Sequence, residues 1–245
     1  MTIADHALLV TGANRGIGQA LVEEALRRGA TRVYAGMRRP LAHSDGRVTP
    51  LTLDVTNAEQ IQQAVETVES LDILVNNAGV DLRGELSDRA ALEQHLAVNL
   101  LGTYSVTQAF LPKLTDSRGA IVNVLSLAAI AALPFTPTYS ISKAAAFSLT
   151  QSLRALLTGQ GVTVHAALAG PVDTDAARYL DIPKASPESV ARAIFDGLEK
   201  GEEEIFPDPW SQSMAEGWRR GAAKALEQQF AAFVKAAPVT AGHSR

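Results

Sequence analysis

Residues 8–18 read Leu-Leu-Val-Thr-Gly-Ala-Asn-Arg-Gly-Ile-Gly, an apolar run that passes directly into a turn rich in glycine. A periodic segment predicted to be a helix follows from residue 16 to residue 28. Gly12 permits a tight turn, and Gly16 and Gly18 let backbone N–H groups approach a pyrophosphate at the helix N-terminus. A turn that only packs the helix is the plain alternative, but the strand–turn–helix context favours a dinucleotide site.

The rest of the chain repeats this alternation of strand-length apolar runs and longer periodic segments. Continuous apolar strands are typical of a parallel sheet covered on both faces, with right-handed crossovers. We predict one α/β domain over residues 1–245, a doubly wound Rossmann-type parallel sheet with helices on both faces. Its core spans about residues 5–207, and a C-terminal helical extension spans about residues 208–237. The predicted strands are 7–10, 32–35, 49–53, 73–75, 120–125, 162–168 and 204–206, and the predicted helices are 16–28, 57–69, 91–111, 139–157 and 211–235.

Composition narrows the classes of function. The 245 residues include no cysteine, which excludes disulfides and cysteine-based metal sites or nucleophiles. The five histidines are scattered without metal-ligand spacing, so we expect no metal. A formal charge of −4 gives no reason to expect nucleic acid as a partner, and no apolar run reaches the ~20 residues of a membrane span. The N-terminus is not a secretory signal, so we expect a cytoplasmic protein.

Further motifs resemble those of the short-chain dehydrogenase/reductase family. Within that family, the chain looks like a carbonyl-reductase-like member. The family writes its first loop as Thr-Gly, three residues and Gly-X-Gly, which residues 11–18 match. Later landmarks are an acid after a strand, an Asn-Asn-Ala-Gly motif, a helical asparagine, a strand-end serine, and a tyrosine and lysine four residues apart. In this chain they are Asp54-Val55, residues 76–79, Asn99, Ser126, Tyr139 and Lys143, and the resemblance spans about residues 7–206.

The resemblance implies a set of cofactor contacts at the carboxyl ends of the strands. The implied residues are Gly12, Asn14, Arg15, Gly16, Ile17, Gly18, Arg38, Asp54, Val55, Asn77, Ala78, Gly79, Tyr139, Lys143, Pro171, Val172 and Thr174. One departure is Ala169-Gly170, where the family usually has Pro-Gly. Loss of that proline leaves the turn less restrained, although Thr174 still stands where the family contacts the nicotinamide carboxamide.

The end of the second strand indicates which nicotinamide cofactor is bound. A protein that selects NAD usually has an acid there, which accepts from the ribose hydroxyls. This chain has Met37-Arg38-Arg39 and no acid. Arg38 can form a fork with a 2′-phosphate, and Arg15 is placed to approach the same group. Both arginines could instead be solvated surface charges, but the missing acid favours NADP(H).

Tyr139 and Lys143 are four residues apart on a predicted helix and therefore share one face. A free tyrosine titrates near pH ~10, and a nearby ammonium favours the phenolate. The resemblance adds Ser126 as a hydrogen-bond donor to the carbonyl oxygen, and Asn99 as the residue that kinks its helix and holds a water. Alone, each has an ordinary structural explanation. Together they predict hydride transfer between cofactor and carbonyl carbon, with Tyr139 as the general acid or base.

The predicted substrate is a small aldehyde or ketone, or the corresponding alcohol. The expected pocket is mostly apolar and has no cluster of basic residues for a phosphate or carboxylate. Two alternatives remain open: a 3-oxoacyl reductase acting on a carrier-protein thioester, and a redox sensor that binds NADP(H) without turnover. The expected pocket walls are Leu127, Leu133, Phe135 and residues 176–182, with Tyr179 and Leu180 among the last.

The segment after residue 208 predicts an amphipathic helix. Its apolar stripe predicts burial against a second subunit of a homodimer or homotetramer, over the active site, or on its own domain. The stripe consists of Trp210, Met214, Trp218, Ala222, Leu226, Phe230 and Phe233, and the face expected in solvent carries Glu216, Arg219, Arg220, Lys224 and Glu227.

Overall fold

Seven parallel strands form one sheet in the computed structural model, which describes residues 1–83, 85–178 and 181–236. The strands are β1 (Ala7–Thr11), β2 (Arg32–Met37), β3 (Val48–Thr52), β4 (Ile73–Asn76), β5 (Ala120–Ser126), β6 (Thr163–Ala169) and β7 (Glu204–Ile205). Their order is β3-β2-β1-β4-β5-β6-β7. The order of the strands reverses between β1 and β4, which leaves a crevice at their carboxyl ends, where ligands bind in such sheets.

Helices cover both faces of the sheet. They are α1 (Gly16–Arg27), α2 (Ala58–Thr67), α3 (Arg89–His95), α4 (Thr103–Ser117), α5 (Pro137–Leu157), α6 (Pro187–Lys200), α7 (Pro209–Arg219) and α8 (Ala222–Ala236). A π-helical segment, Leu96–Gly102, joins α3 to α4, so the predicted helix 91–111 is longer and irregular in the middle. The predicted doubly wound Rossmann-type fold is confirmed.

The alternation of side chains along each strand divides the core into two layers. In β1, Leu8 and Val10 pack with residues of α1 and α6, while Leu9 packs with residues of α2, α4 and α5. All three β1 side chains are fully buried. Apolar side chains are needed on both faces because both faces are covered, which explains the unbroken apolar runs in the sequence.

Helix α6 was not predicted, although its signals are present. Ser186 caps it by accepting a hydrogen bond from the Ser189 N–H at 3.2 Å, and Pro187 occupies the first turn. Its apolar positions recur at helical spacing and are buried against α1. They are Val190, Ala191, Ile194, Phe195 and Leu198.

The C-terminal segment differs from the prediction in two ways. Two helices replace the single predicted one, with a break at Arg220-Gly221. The expectation that Lys224 and Glu227 face solvent is wrong, because both side chains lie in an ionic cluster against the sheet, where Lys224 is buried and Glu227 is partly buried. Much of the apolar stripe faces outward instead, with exposed fractions of 46–68%; these residues are Trp210, Met214, Leu226, Phe230 and Phe233.

Among the described residues, no helix combines the length and the apolar character needed to cross a bilayer.

Candidate active site and cofactor cleft

An open cleft of about 1420 Å³ lies at the carboxyl ends of the strands. Thirteen of the predicted cofactor residues line it: Gly12, Asn14, Arg15, Gly16, Ile17, Gly18, Arg38, Asp54, Val55, Asn77, Ala78, Gly79 and Thr174. Pro171 and Val172 do not line it, since Val172 is buried and pairs with Ala185 in an isolated bridge. Tyr139 and Lys143 are also outside the lining, and Lys143 Nζ lies close behind Gly79.

The loop between β1 and α1 needs its glycines for conformation and for space. Gly12 has a φ of +66°, which side chains disfavour. A Cβ on Gly18 would lie 2.2 Å from the Gly12 carbonyl oxygen, a contact that no side chain can make. Arg15, at the start of α1, makes no side-chain cap, and no acid stands in the first turn. The first N–H groups of α1 therefore have no side-chain partner there and suit an anion.

Thr11 fixes the junction of β1 and β4, a role that sequence analysis did not assign to it. Its Oγ1 accepts hydrogen bonds from the backbone N–H groups of Asn77 and Ala78, both at 3.0 Å. The Asn77 side chain donates back to the Thr11 carbonyl at 2.9 Å. The position of Thr11 directly before Gly12 was the only sequence signal. The pair braces the cleft floor beside the Gly-rich loop.

Asp54 is held in its ionised form at the end of β3. Its Oδ1 accepts from the Thr56 hydroxyl at 2.7 Å and from the Thr56 N–H at 2.9 Å. The hydroxyl hydrogen bond is the largest cause that lowers the pKa of Asp54, and the charge of Arg38 lowers it further, while burial opposes both. Asp54 and Arg38 thus interact at the same end of the cleft.

The two predicted phosphate-binding arginines have different surroundings. Arg38 is exposed after β2 and lines the cleft beside Arg39. Arg15 forms an ion pair across the cleft with Asp175, at 2.6 Å, and Asp175 also pairs with Arg178. These three side chains are largely exposed, so the pairs contribute little to stability. Arg15 therefore has a carboxylate partner already, whereas Arg38 faces the cleft at the end of β2.

Lys143 is the buried cation of the site. Its Nζ donates to the Val124 carbonyl at 3.0 Å and lies 5.7 Å from the centre of the Tyr139 ring. Burial lowers the pKa of Lys143 to about 8, against the opposing effect of the Asp81 charge. At neutral pH the ammonium form still predominates, so a positive charge stands beside the Tyr139 ring.

Tyr139 lies in the first turn of α5, two residues after Pro137. The side chain is half-buried, and its ring meets His95 edge-on, with 5.9 Å between ring centres. The proline at the helix start fixes where the turn begins and therefore which residues face the sheet. Tyr139 and Lys143 point to the same side, as their spacing predicts.

Ser126 ends β5 and caps the short 3₁₀ turn Leu127–Ala129. Its Oγ accepts a hydrogen bond from the Ala128 N–H at 3.1 Å. The sequence left open whether this hydroxyl serves the backbone or a substrate. Both roles are compatible, because a hydroxyl that accepts from the backbone can still donate its own proton.

Asn99 lies inside the π-helical segment and is 2% exposed. Its Oδ1 accepts from the Val80 N–H at 2.9 Å, and its Nδ2 donates to the Val80 carbonyl at 3.0 Å and to Ser142 Oγ at 2.9 Å. The wider turn interrupts the regular helix at this residue, which agrees with the predicted kink.

Gly79 lies between the cleft and the side chains of Asn99 and Lys143. A Cβ there would lie 3.2 Å from Asn99 Oδ1 and 3.6 Å from Lys143 Nζ. The absent side chain therefore leaves these two polar atoms next to the cleft.

The expected substrate walls are only partly described. Leu127 and Leu133 are half-buried and Phe135 is exposed, while Tyr179 and Leu180 lie outside the described residues. Sequence analysis missed Asp81 and His95, which interact with Lys143 and Tyr139. Neither belongs to a recognised motif, so only the folded structure reveals them.

Comparison with known proteins places the chain in a family. The family model of the short chain dehydrogenases matches residues 6–184. A solved structure of a short chain dehydrogenase from Burkholderia cenocepacia in complex with NADP is 37% identical and superposes with a TM-score of 0.86, covering 94% of this chain and 98% of that one.

Two named relatives have different substrates in their names. The ketoacyl reductase HetN of Nostoc is 28% identical, with 84% of this chain and 79% of the relative covered. The mouse estradiol 17-beta-dehydrogenase 2 is 35% identical, with 74% of this chain and 52% of the relative covered. With the matching family model, the sheet order and the cleft, they lead to one conclusion: this chain belongs to the short-chain dehydrogenase family, a family of oxidoreductases.

Proposed function

We propose that this protein is an NADP(H)-dependent oxidoreductase that interconverts an aldehyde or ketone and the corresponding alcohol. The observation that supports this most directly is the buried Lys143 ammonium, 5.7 Å from the ring of Tyr139 and next to the cleft. Burial of a lysine in such a place costs stability, so a catalytic use explains why it is there.

The residues of the cleft suit a dinucleotide. The Gly-rich turn lines the cleft, and the first N–H groups of α1, which have no side-chain cap, can bind a pyrophosphate there. Arg38 and Arg39 are exposed at the end of β2, where a 2′-phosphate of NADP would require positive charge. The NADP complex of the Burkholderia relative supports the same cofactor. When bound, NADPH supplies the hydride that is added to the carbonyl carbon.

The protein's part in the reaction is to orient the carbonyl and to move one proton. Ser126 donates its hydroxyl proton to the carbonyl oxygen as negative charge develops there. Tyr139 protonates that oxygen, and the ammonium of Lys143 stabilises the phenolate that remains. Asn99 holds the backbone of Val80 beside the lysine. In the oxidation direction, Tyr139 takes the proton from the alcohol.

A 3-oxoacyl thioester is the second candidate substrate, because one relative is named a ketoacyl reductase. Apolar ketones are the first, because the expected walls Leu127, Leu133 and Phe135 carry no charge. The test is consumption of NADPH, followed by its absorbance, with a panel of aldehydes, ketones and a 3-oxoacyl thioester. Turnover of simple ketones supports the proposal. Tight NADPH binding without turnover of any member would favour the redox sensor.

The expected homodimer or homotetramer is also a proposal. The outward apolar residues of α7 and α8 support it, since monomers rarely leave such a surface in water. The predicted single domain and cytoplasmic location remain predictions.

A further inference from the structure

Two side chains on one helical face, Asn99 and His95, hold the backbone of residues 80–82 beside the cleft. Asn99 binds both backbone groups of Val80, and His95, four residues earlier, accepts from the Leu82 N–H at its Nε2 at 2.8 Å. Because the residues on either side are fixed, the backbone of Asp81 is fixed as well. The Asp81 side chain extends from this fixed backbone, next to Val80, which lines the cleft.

His95 makes this contact in its neutral form. It is completely buried, and burial lowers its pKa, while the nearby Ala91 carbonyl opposes that effect. An imidazole that accepts at Nε2 must carry its proton on Nδ1 when neutral. Its ring also meets Tyr139 at 5.9 Å between centres. His95 therefore contacts both the backbone of Leu82 and the ring of Tyr139.

The Asp81 carboxylate acts on Lys143. Its Oδ1 is buried and has no hydrogen-bond partner among the described residues. Burial raises the pKa of Asp81, and the charges of Arg83 and Lys143 lower it. In the described part of the chain, Asp81 is the charged group found to raise the pKa of Lys143. A buried carboxylate oxygen without a hydrogen bond is costly, so its presence near the Lys143 ammonium calls for a role.

We propose that Asp81 is a positioning residue: held by His95 and Asn99 through the backbone of residues 80–82, its carboxylate keeps the buried Lys143 in the ammonium form. The inference rests on the proposed function, in which that ammonium stabilises the Tyr139 phenolate, and on the cofactor contact of Lys143 that the family resemblance implies. The other charged or titratable groups facing the pair are Arg83, His95 and Tyr139.

The test is the pH dependence of NADPH binding in Asp81→Asn, which removes the charge and keeps the shape. NADPH binding weakens as the pH rises through the pKa of Lys143, because a neutral amine donates weaker hydrogen bonds to the oxygen atoms of the cofactor than an ammonium does. Without the carboxylate that pKa falls, so the midpoint moves to lower pH by about one unit. Cofactor fluorescence between pH 6 and pH 10 measures it. At pH 6 both proteins bind equally, and between the two midpoints the variant binds several-fold more weakly.

Glu93→Gln is the matched control, since it removes the same charge from an exposed ion pair on α3. Its midpoint stays at the wild-type value. Thermal unfolding at pH 7 gives a second readout: Asp81→Asn melts no lower than wild type, because a buried carboxylate with a raised pKa opposes folding at that pH.

Three results would overturn the inference. The first is an unchanged midpoint in Asp81→Asn, and the second is no pH dependence in the wild type. The third is an equal loss of affinity at every pH together with a lower melting temperature, which is what a purely structural role produces. A wild-type protein that binds no NADPH at any pH would instead overturn the proposed function, and the inference with it.

Discussion

At the scale of single residues, the candidate site combines buried charged side chains, which lower the stability of the protein, with neighbouring groups that keep these side chains in place. Lys143 is buried with one backbone acceptor, and its pKa falls to about 8 from the ordinary lysine value. The pKa of Asp81 changes in the opposite direction, because burial raises it. Such pairs are typical of sites where protonation states matter for chemistry. The sequence predicted Lys143 from its distance to Tyr139, but the partner Asp81 depends on the tertiary fold.

Lys143→Met should make the protein more stable at neutral pH. Between about pH 8 and the ordinary lysine pKa, the unfolded chain binds a proton that the folded chain does not, so stability rises with pH there. Below pH 8 the full cost of burying the charged lysine is present. The substitution removes this cost but also loses the hydrogen bond to Val124, so the free energy of unfolding at pH 7 rises by about 2 kcal/mol.

Urea unfolding of this variant and of wild type at pH 7 and pH 10 measures the difference. The gain shrinks at pH 10, where the wild-type lysine is largely neutral in the folded state. Exposed Lys200→Met is the control and changes little at either pH. A Lys143→Met protein less stable than wild type at pH 7 would contradict the account of this residue.

Arg38→Ala should weaken the preference for NADPH over NADH. Each charge-assisted hydrogen bond to a 2′-phosphate is worth roughly 1.5–3 kcal/mol, so we expect at least a tenfold preference in the wild type. Arg15 is paired with Asp175, so we expect Arg38 to contribute more. The ratio of kcat/KM for the two cofactors measures the effect. Arg32→Ala, at the opposite end of β2, leaves the ratio unchanged; equal wild-type values for both cofactors would refute the assignment.

At the scale of helices and strands, the sequence predicted what depends on local pattern. The strands of the sheet and the Gly-rich turn were predicted because apolar runs and glycines fix them locally, whereas α5 begins at Pro137, two residues before its predicted start. Helix α6 was predictable from Ser186-Pro187 and its apolar spacing, but the prediction omitted it. The orientation of α8 was not predictable, because periodicity shows which residues share a face but not which face turns inward. Its inward partners, Arg154 and Glu204, lie far away in the chain.

The ionic cluster under α8 decides that orientation. Lys224 Nζ lies 2.6 Å from Glu203, 2.9 Å from Glu204 and 3.1 Å from Glu227. Arg154 pairs with Glu204 at 2.8 Å and also with Glu227. The three carboxylates lie close enough together to hold a metal ion, but in this structure the two cations meet them. The cluster joins α5, β7 and α8.

Lys224→Met should therefore destabilise the protein by about 3 kcal/mol, because it leaves the buried Glu204 carboxylate with one cation fewer. Chemical unfolding at neutral pH measures this. Arg220→Met is the matched control, since its ion pair with Glu216 is exposed and its loss costs less than ~0.5 kcal/mol. A loss no larger than that of the control would show that the cluster does not hold α8.

At the scale of the whole molecule, α7 and α8 present an apolar surface to the outside. It comprises Trp210, Met214, Leu226, Phe230 and Phe233. Trp218 is the exception in the predicted stripe, because it packs on Phe147 with 5.4 Å between ring centres. The exposed side chains of α8 between residues 222 and 234 carry no charge, which suits contact with a second copy related by a two-fold axis.

We predict that the protein is a dimer or tetramer, and that Phe230→Glu with Phe233→Glu shifts it toward smaller species. Placing like charges opposite each other across a two-fold interface costs several kcal/mol. Light scattering at micromolar concentration measures the mass of both proteins. Leu86→Glu, an equally exposed leucine elsewhere, leaves the mass unchanged. A monomeric wild type would rule out the interface.

The central claim is that Tyr139 transfers the proton while the cleft binds the cofactor. The most direct test measures kcat and the NADPH dissociation constant of Tyr139→Phe on the best substrate of the carbonyl panel. Removal of one hydroxyl should lower kcat by ~10²–10⁴-fold and leave NADPH binding close to wild type. Tyr104→Phe, an exposed tyrosine on α4, should change neither. A Tyr139→Phe enzyme that keeps a wild-type kcat would contradict the account.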